Sequence, residues 1–599
     1  MSAVAVGGVT YVDSATSVVR EARRQSQDVQ ATHLCEAGAQ VVLHSLWVPF
    51  KVTQRFTDLD SAVAGACADE PRVAREGELP GVGKYTAGII AVSEPDSFTR
   101  VLTVRSVGWQ DNNDNDELDE NEPRKVIDIR ATYQLARSQV FDYAYFVNNY
   151  GWMDGFDPNE LIVNGDMRAN GNFEFRNGFP TVNGSIFASM NEKLTPASAG
   201  LLNTPPVKWA TSTYRTNANA NPTNVADNQR RWRQGYDPAV HGARGTAQYE
   251  QWRDLIFDSE AQIVNNRVAG AVAADAAGTR SWQRTTGSAT LSTQVLDPNP
   301  TEEVIMPDLS DLTFYQNLSN TWRNNKATFA DGTANPNFNQ GAFVEVWDAT
   351  LNGGAGAYRR LDTNGVITGS AVLVGTSTRP IRIHGPVTVT QDAVIKGHVT
   401  GQGTLYTGRN VHVVGSVRYV NRPNFRGTNP TTLDQANEKA DMLALAARGS
   451  VMMGNIRPTD PVIPYMRPPF TRPRISDTGA VIPAFDCTQI DQGQPRYRTV
   501  VPGLPDSFYE SINQVDAVLY TNFVGGGNVG TGGGGVIFNG SLISRDEAMV
   551  VYSLPMRMNY DTRIRERSLT AQPLIDVNLP RSPVMLRSAW QDRGFSNGY

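Results

Sequence analysis

One stretch of this chain repeats at a fixed step of six residues. Between 381 and 419 the lead positions are Ile381, Val387, Ala393, Val399, Leu405, Val411 and Val417, all apolar. Two residues after the leads come Ile383, Val389, Ile395, Val413 and Tyr419, interrupted only by Gly401 and Thr407. Gly385, Gly397, Gly403 and Gly415 fall two residues before a lead. A strict step of six suits neither an amphipathic helix nor a long flat strand. It suits very short strands with a corner after each, wound as a β-solenoid. Each face then buries two side chains, and glycine serves corners that need positive φ or a close backbone approach.

The same step frames an earlier segment. Leu161, Met167, Phe173 and Phe179 take the lead there, with Val163, Ala169, Phe175, Thr181 and Phe187 in second place and Gly165 and Gly171 before. Leu445 and Val451 echo it, and FNGSLISR at 538–545 echoes VNGSIFAS at 182–189. The expected fold class is mainly β: an interrupted parallel β-helix (a β-solenoid of six-residue step), preceded by an N-terminal helix and a small β domain. The solenoid is expected to start near 160, break, and resume. Insertions leave and re-enter at corners, where the stacked core is not crossed.

Eight segments follow from this pattern. Residues 1–50 form an N-terminal helix that also reads as the remnant of a membrane anchor, and 51–140 a small β domain with an acidic loop. Residues 141–190 are the first solenoid coils, 191–345 a polar insertion, 346–456 more solenoid and 457–510 a Pro-rich insertion. Residues 511–567 are closing coils, and 568–599 a C-terminal tail. The helix is expected over 13–47, where Val18, Val19, Ala22, Val29, Leu34, Ala37, Val41, Val42 and Leu46 recur at three- and four-residue steps, with Ser14 as N-cap. The first twelve residues, MSAVAVGGVTYV, read as the end of a membrane segment begun upstream, a first strand or a disordered end. In the β domain, FTRVLTVRSV at 98–107 and the alternation Ile127, Ile129, Ala131, Tyr133, Leu135 predict two paired strands. A further helix is expected at 247–268. The aromatic stretch 141–153 is a candidate cap for an open end of the solenoid.

Charged residues make up 19% of the chain and the net charge is −6, so nothing favours nucleic acid as a partner. No run of 18 apolar residues is present, and membrane association would depend on an upstream anchor. The cysteines are Cys35, Cys67 and Cys487, at no metal spacing and able to form at most one bridge.

The second informative feature is DNNDNDELDENE at 111–122. Numbered as a twelve-residue calcium loop, it places Asp111, Asn113, Asn115, Glu117, Asp119 and Glu122 at positions 1, 3, 5, 7, 9 and 12. Calcium needs six to eight hard oxygens, and alternate residues of a curled loop point inward together. Glu117 would ligate through its carbonyl and Glu122 through both carboxylate oxygens. Asp116 stands where glycine is usual, and the flanks read as strands, so this is not a helix–loop–helix hand. The loop resembles the isolated calcium loops of bacterial surface proteins, D-x-N-x-N-G-x-x-D-x-x-E-P, with Pro123 completing the pattern. Calcium, in a structural role, is the expected cofactor.

Other motifs carry less chemistry. Gly525-x-Gly527-x-x-Gly530 matches a dinucleotide fingerprint, but the segment after it reads as a strand and not the required helix, so a flexible loop is expected. His384, His398 and His412 fall in three different columns of the six-residue frame and form no metal line. Asp546 and Glu547 beside Arg545 and Arg557 are the one compact charged group on a solenoid face, and read as surface ion pairs. Asn183-Gly184-Ser185, Asn317-Leu318-Ser319 and Asn539-Gly540-Ser541 are formal glycosylation sequons. No catalytic or cofactor-binding residue is assigned, and the chain is not read as an enzyme.

Several segments together resemble the PilX-like, type IV pilus-associated proteins of bacteria. They are Cys35-Glu36-Ala37-Gly38, VFDYAYFVNNYGW near 140–152, the N-G-D/N-G-S coils, and VDAVLYTNF, FNGSLISRDEAMV and MNYDTRI within 515–564. The six-residue run alone also resembles bactofilins. The PilX-like resemblance implies a non-enzymatic structural component of a cell-envelope or pilus-like assembly, with other envelope or pilus proteins as partners. The alternatives are a carbohydrate-binding or polysaccharide-cleaving β-helix protein and a bactofilin-like cytoskeletal scaffold.

Overall fold

The computed structural model describes residues 2–148, 151–188, 304–456, 506–567 and 572–596 apart from scattered positions within them, with short pairs at 282–283, 290–291, 474–475 and 481–482. The expected helix at 247–268 lies outside the described residues. The protein is mainly β with an N-terminal helix, and divides into two compact units, Met1–Arg137 with Arg581–Tyr599, and Ser138–Pro580.

The first unit sets one long helix against an antiparallel sheet. Helix α1 spans Ser2–Thr53, so it begins well before 13, and Ser14 lies inside it instead of capping it. No proline stands in the first turns to stop the helix earlier, and the first-strand reading of 1–12 does not hold. Ala31, Leu34, Cys35, Ala39, Val42, Leu43, Leu46 and Phe50 are buried, a stripe at helical spacing that faces the sheet. The Cys35–Gly38 segment belongs to this packing. The Cys35 thiol donates to the Lys125 carbonyl at 3.1 Å, and a Cβ on Gly38 would stand 2.6 Å from the Tyr85 ring. Helix α2 (Phe56–Val63) follows.

Strands β1 (Arg72–Leu79), β2 (Gly83–Asp96), β3 (Thr99–Trp109) and β4 (Arg124–Arg137) form a meander. The two strands expected from alternation are β3 and β4, paired antiparallel with Val104 opposite Ile129. Ile127, Ile129, Ala131, Tyr133 and Leu135 are all buried, and the Tyr133 hydroxyl donates to the Leu43 carbonyl of α1 at 2.7 Å. The fifth strand is Arg581–Ser596, antiparallel to β4. The C-terminal stretch is therefore part of the sheet and not a tail. Its outer half, with Leu586 and Trp590 exposed, has no apolar rhythm because backbone pairing holds it. Charge pins it as well: Lys125 meets Asp28 at 2.8 Å and Asp592 at 2.7 Å, and Arg105 and Arg593 both hold Asp128.

The second unit is built of parallel ladders. Ile381 faces Val399, Val387 faces Leu405 and Ala393 faces Val411, a register step of eighteen residues, or three steps of six. All seven lead residues of the run are 1% exposed or less. The frame slips once. After Ile395 a register shift sets Gly397 opposite Val417 and Val399 opposite Tyr419. Leu445 and Val451 then lie beside Leu405 and Val411, with helix α3 (Pro430–Asn437) in the intervening connection. Val451 in turn faces Gly525, and Leu445 faces Leu519.

Two features differ from the sequence reading. The first is the order of the ladders. Residues 145–188 do not precede the 381 run; they join its far end, where Met556 faces Leu161 and Leu542 faces Tyr145. A six-residue pattern specifies which side chains go inward but not which neighbour each strand takes. Tyr145–Val147 is consequently flanked on both sides, by Leu542–Ser544 and by Met167–Ala169, and is no end cap. The end beyond Ile381 is covered by the antiparallel strand Phe343–Asp348 and the helix Leu312–Thr321, where the Ser319 and Thr388 hydroxyls lie 2.8 Å apart.

The second is the glycine run. Val524–Val529 is a buried strand between Val451–Met453 and Asp546–Val551, not a flexible loop. At Gly527, φ is +132° and a Cβ would come within 2.0 Å of the Met453 carbonyl oxygen, so only glycine lets these backbones meet.

Candidate functional site

The acidic loop joins β3 to β4 at one end of the antiparallel sheet. Trp109 and Arg124 are the last paired residues, and Gln110 N–H donates to the Pro123 carbonyl at 3.1 Å, closing its neck. Glu122 is 3% exposed. A buried carboxylate needs partners, and here each oxygen has one: Oε1 accepts from Asn112 N–H at 2.8 Å and Oε2 from Asp119 N–H at 3.2 Å. Asp111 Oδ1 accepts from Asn115 N–H at 3.2 Å, and Asn115 Oδ1 from Glu117 N–H at 2.9 Å. Asn115 Nδ2 reaches Asp119 Oδ2 at 2.9 Å. Of the six expected ligands, Asp111, Asn115, Asp119 and Glu122 thus share one network. The Glu117 side chain is exposed, and Asn113 lies outside the described residues.

One participant has no counterpart in the loop's spacing. Lys84 Nζ meets Asp111 Oδ2 at 2.6 Å, with both side chains largely buried. Lys84 sits opposite Trp109 in the β2–β3 ladder, which brings it to the foot of the loop. Only the strand pairing reveals that placement. Among the described residues, no three or more His, Cys, Asp or Glu side chains gather closely enough to hold a metal.

The histidines stay apart, as their columns predict. His384 faces Gln402, His398 faces Arg418 and His412 faces Val394 and Met452. His412 Nε2 lies 3.2 Å from Asp392 Oδ1, inside a cluster where Asp392 and Asn410 are wholly buried. Burial opposes charge on Asp392, but His412, Arg409 and Asn410 outweigh it and hold its carboxyl below the usual range. The Asp392–His412 pair is buried and ties ladders together. Around the charged group at 545–547, Arg557 is exposed, while the side chains of Arg545, Asp546 and Glu547 lie outside the described residues. Cys35 is buried and Cys67 exposed, both as free thiols, and Cys487 lies outside the described residues.

Among the described residues no helix is long and apolar enough to cross a membrane. No family model matches this chain, and no curated protein matches it. Among solved structures, the chain is similar to the competence-associated pilin ComZ from Thermus thermophilus, at 12% identity over 95% of this chain and 98% of that one, with a TM-score of 0.25.

Proposed function

We propose that this chain is a non-enzymatic structural component of a bacterial cell-envelope or type IV pilus-like assembly, associating with other envelope or pilus proteins. One observation carries this reading. Helix α1 has 52 residues, about 78 Å at 1.5 Å per residue, yet among its described side chains the buried stripe begins only at Ala31. Residues 15–26 are exposed on every side, Val18 and Val19 at 65% and 67%. A helix of that length gains most of its stability from packing, so the exposed stretch at 15–26 points to a partner in an assembly. The parallel ladders suit the same role. Read as one interrupted β-solenoid, they form a stiff scaffold whose stability comes from neighbouring coils. The covered end at Phe343–Asp348 disfavours a cytoskeletal polymer growing through bare ends.

Expressed in a bacterial host of its own kind, the chain should co-fractionate with the envelope or sheared surface appendages. A Val18→Asp/Val19→Asp variant, altered only at two exposed positions, should be lost from that fraction while keeping its melting temperature. Equal retention of the variant would contradict the reading.

We further infer that calcium is the ion of the 111–122 loop. Each carboxylate oxygen has more than one lone pair, so Glu122 can keep its two N–H partners while it ligates. Lys84 offsets part of the loop's negative charge, which favours moderate affinity. Isothermal titration should show calcium heat that disappears in an Asp111→Ala/Glu122→Ala variant. No heat from the parent protein would refute calcium binding.

A further inference from the structure

A row of polar side chains runs down one corner of the parallel ladders. Asp516 faces Asn539, Asn539 faces Asn559 and Asn559 faces Asn164. Asn539 Nδ2 donates to Asp516 Oδ1 at 2.7 Å, Asn559 to Asn539 at 2.8 Å, Asn164 to Asn559 at 2.7 Å and Asn183 to Asn164 at 2.7 Å. A primary amide has two N–H donors and two acceptor lone pairs. Along the row each inner amide uses one of each. Among the described residues, Asn539 and Asn559 are left with one donor and one acceptor apiece, about 4.8 Å apart. Two of the formal sequons, at Asn183 and Asn539, belong to this row.

Beside the row lies a cleft of about 360 Å³, its lining including Asn539, Asn559, Tyr560, Arg422, Phe425 and Arg426. Its acids already have partners. Asp516, 1% exposed, accepts Tyr419 N–H at 2.9 Å and lies 3.6 Å from Arg422, and Asp561 is held by Arg563 at 2.7 Å. The Arg426 guanidinium has no carboxylate partner among the described residues, and Phe425 beside it is 47% exposed. A hydroxyl both donates and accepts, which is what each half-used amide offers. An aromatic face accepts the apolar side of a sugar ring, and an uncompensated arginine accepts a carboxylate. A peptide strand would need free backbone groups, but here the backbone is paired in the ladders. Nucleic acid would need several cations.

We propose that this cleft binds an oligosaccharide that carries carboxylates. Asn539 and Asn559 hold hydroxyls, Phe425 packs on a ring face and Arg426 pairs with the acid group. The site is independent of the assembly reading.

Titration calorimetry on the full chain, with tetragalacturonate as the acidic probe and chitotetraose as the neutral one, tests it. Tetragalacturonate should bind, and Phe425→Ala and Arg426→Ala should each weaken binding about tenfold or more, which is 1.4 kcal/mol or more. Both residues are exposed, so the melting temperature should not change. Absence of heat from tetragalacturonate at millimolar concentration would overturn the site. Equal binding of chitotetraose would overturn the acidic class, and unchanged binding in both variants would overturn the assignment to this cleft.

Discussion

Leu542 and Tyr145 lie side by side in a parallel ladder, joining two ends of the second unit's chain. Tyr145 is wholly buried there, between Leu542 and Met167. Removing its ring should cost about 3–5 kcal/mol, the usual range for a large aromatic replaced by alanine. Hydrogen exchange of Tyr145→Ala should show lost protection at 536–544 as well as at 145–169. Loss confined to 145–169 would contradict the observed order of the ladders.

His384 gives the second unit a pH dependence. Its ring lies 5.1 Å from that of Trp322 and 5.5 Å from that of Phe343, and burial pushes its pKa down to about 4. A histidine of depressed pKa is neutral when folded but takes a proton when unfolded below the ordinary value near 6.5. Its stabilising contribution is therefore full above pH 6.5 and lost as pH falls toward 4, on the order of 3 kcal/mol. Urea melts at pH 7 and pH 4.5 should differ less for His384→Gln than for the parent. An equal difference in both would place the acid sensitivity elsewhere.

The two described thiols should differ in reactivity. Cys35 is wholly buried, and desolvation pushes its pKa up to about 12, whereas Cys67 is exposed. Thiolate is the reacting form, so Cys35 in the folded chain should resist alkylation. Iodoacetamide at pH 8 followed by mass spectrometry should modify Cys67 quickly and Cys35 only after denaturation. Rapid labelling of Cys35 under native conditions would mean that α1 does not stay docked on its sheet.

Much of the inward pattern was legible in the sequence, because burial acts residue by residue. The seven lead positions are all inside, and the alternating residues of 127–135 are all buried in the strand that their spacing predicts. Pairing was less legible. Nothing in the period marks the slip at Lys396 or joins Leu542 to Tyr145, since any six-residue strand can stack on any other. Strands held by backbone bonds with little side-chain burial escaped notice, as Arg581–Ser596 did, and glycines that permit close approach passed for a loop at 525–527. In the acidic loop, spacing identified Asp111, Asn115, Asp119 and Glu122 as one cluster. Lys84 enters it only through the sheet.

The exposed stretch of α1 at 15–26 can be probed directly in intact cells. Val18→Cys and, as a control, Phe338→Cys, which is exposed in the second unit, would be treated with a short bismaleimide and the cross-linked peptides sequenced. Val18→Cys should join the N-terminal helical segment of an envelope or pilus protein, while Phe338→Cys should not. If position 18 yields no such peptide, or the same peptides as position 338, the helix has no assembly partner and the structural role proposed for this chain is contradicted.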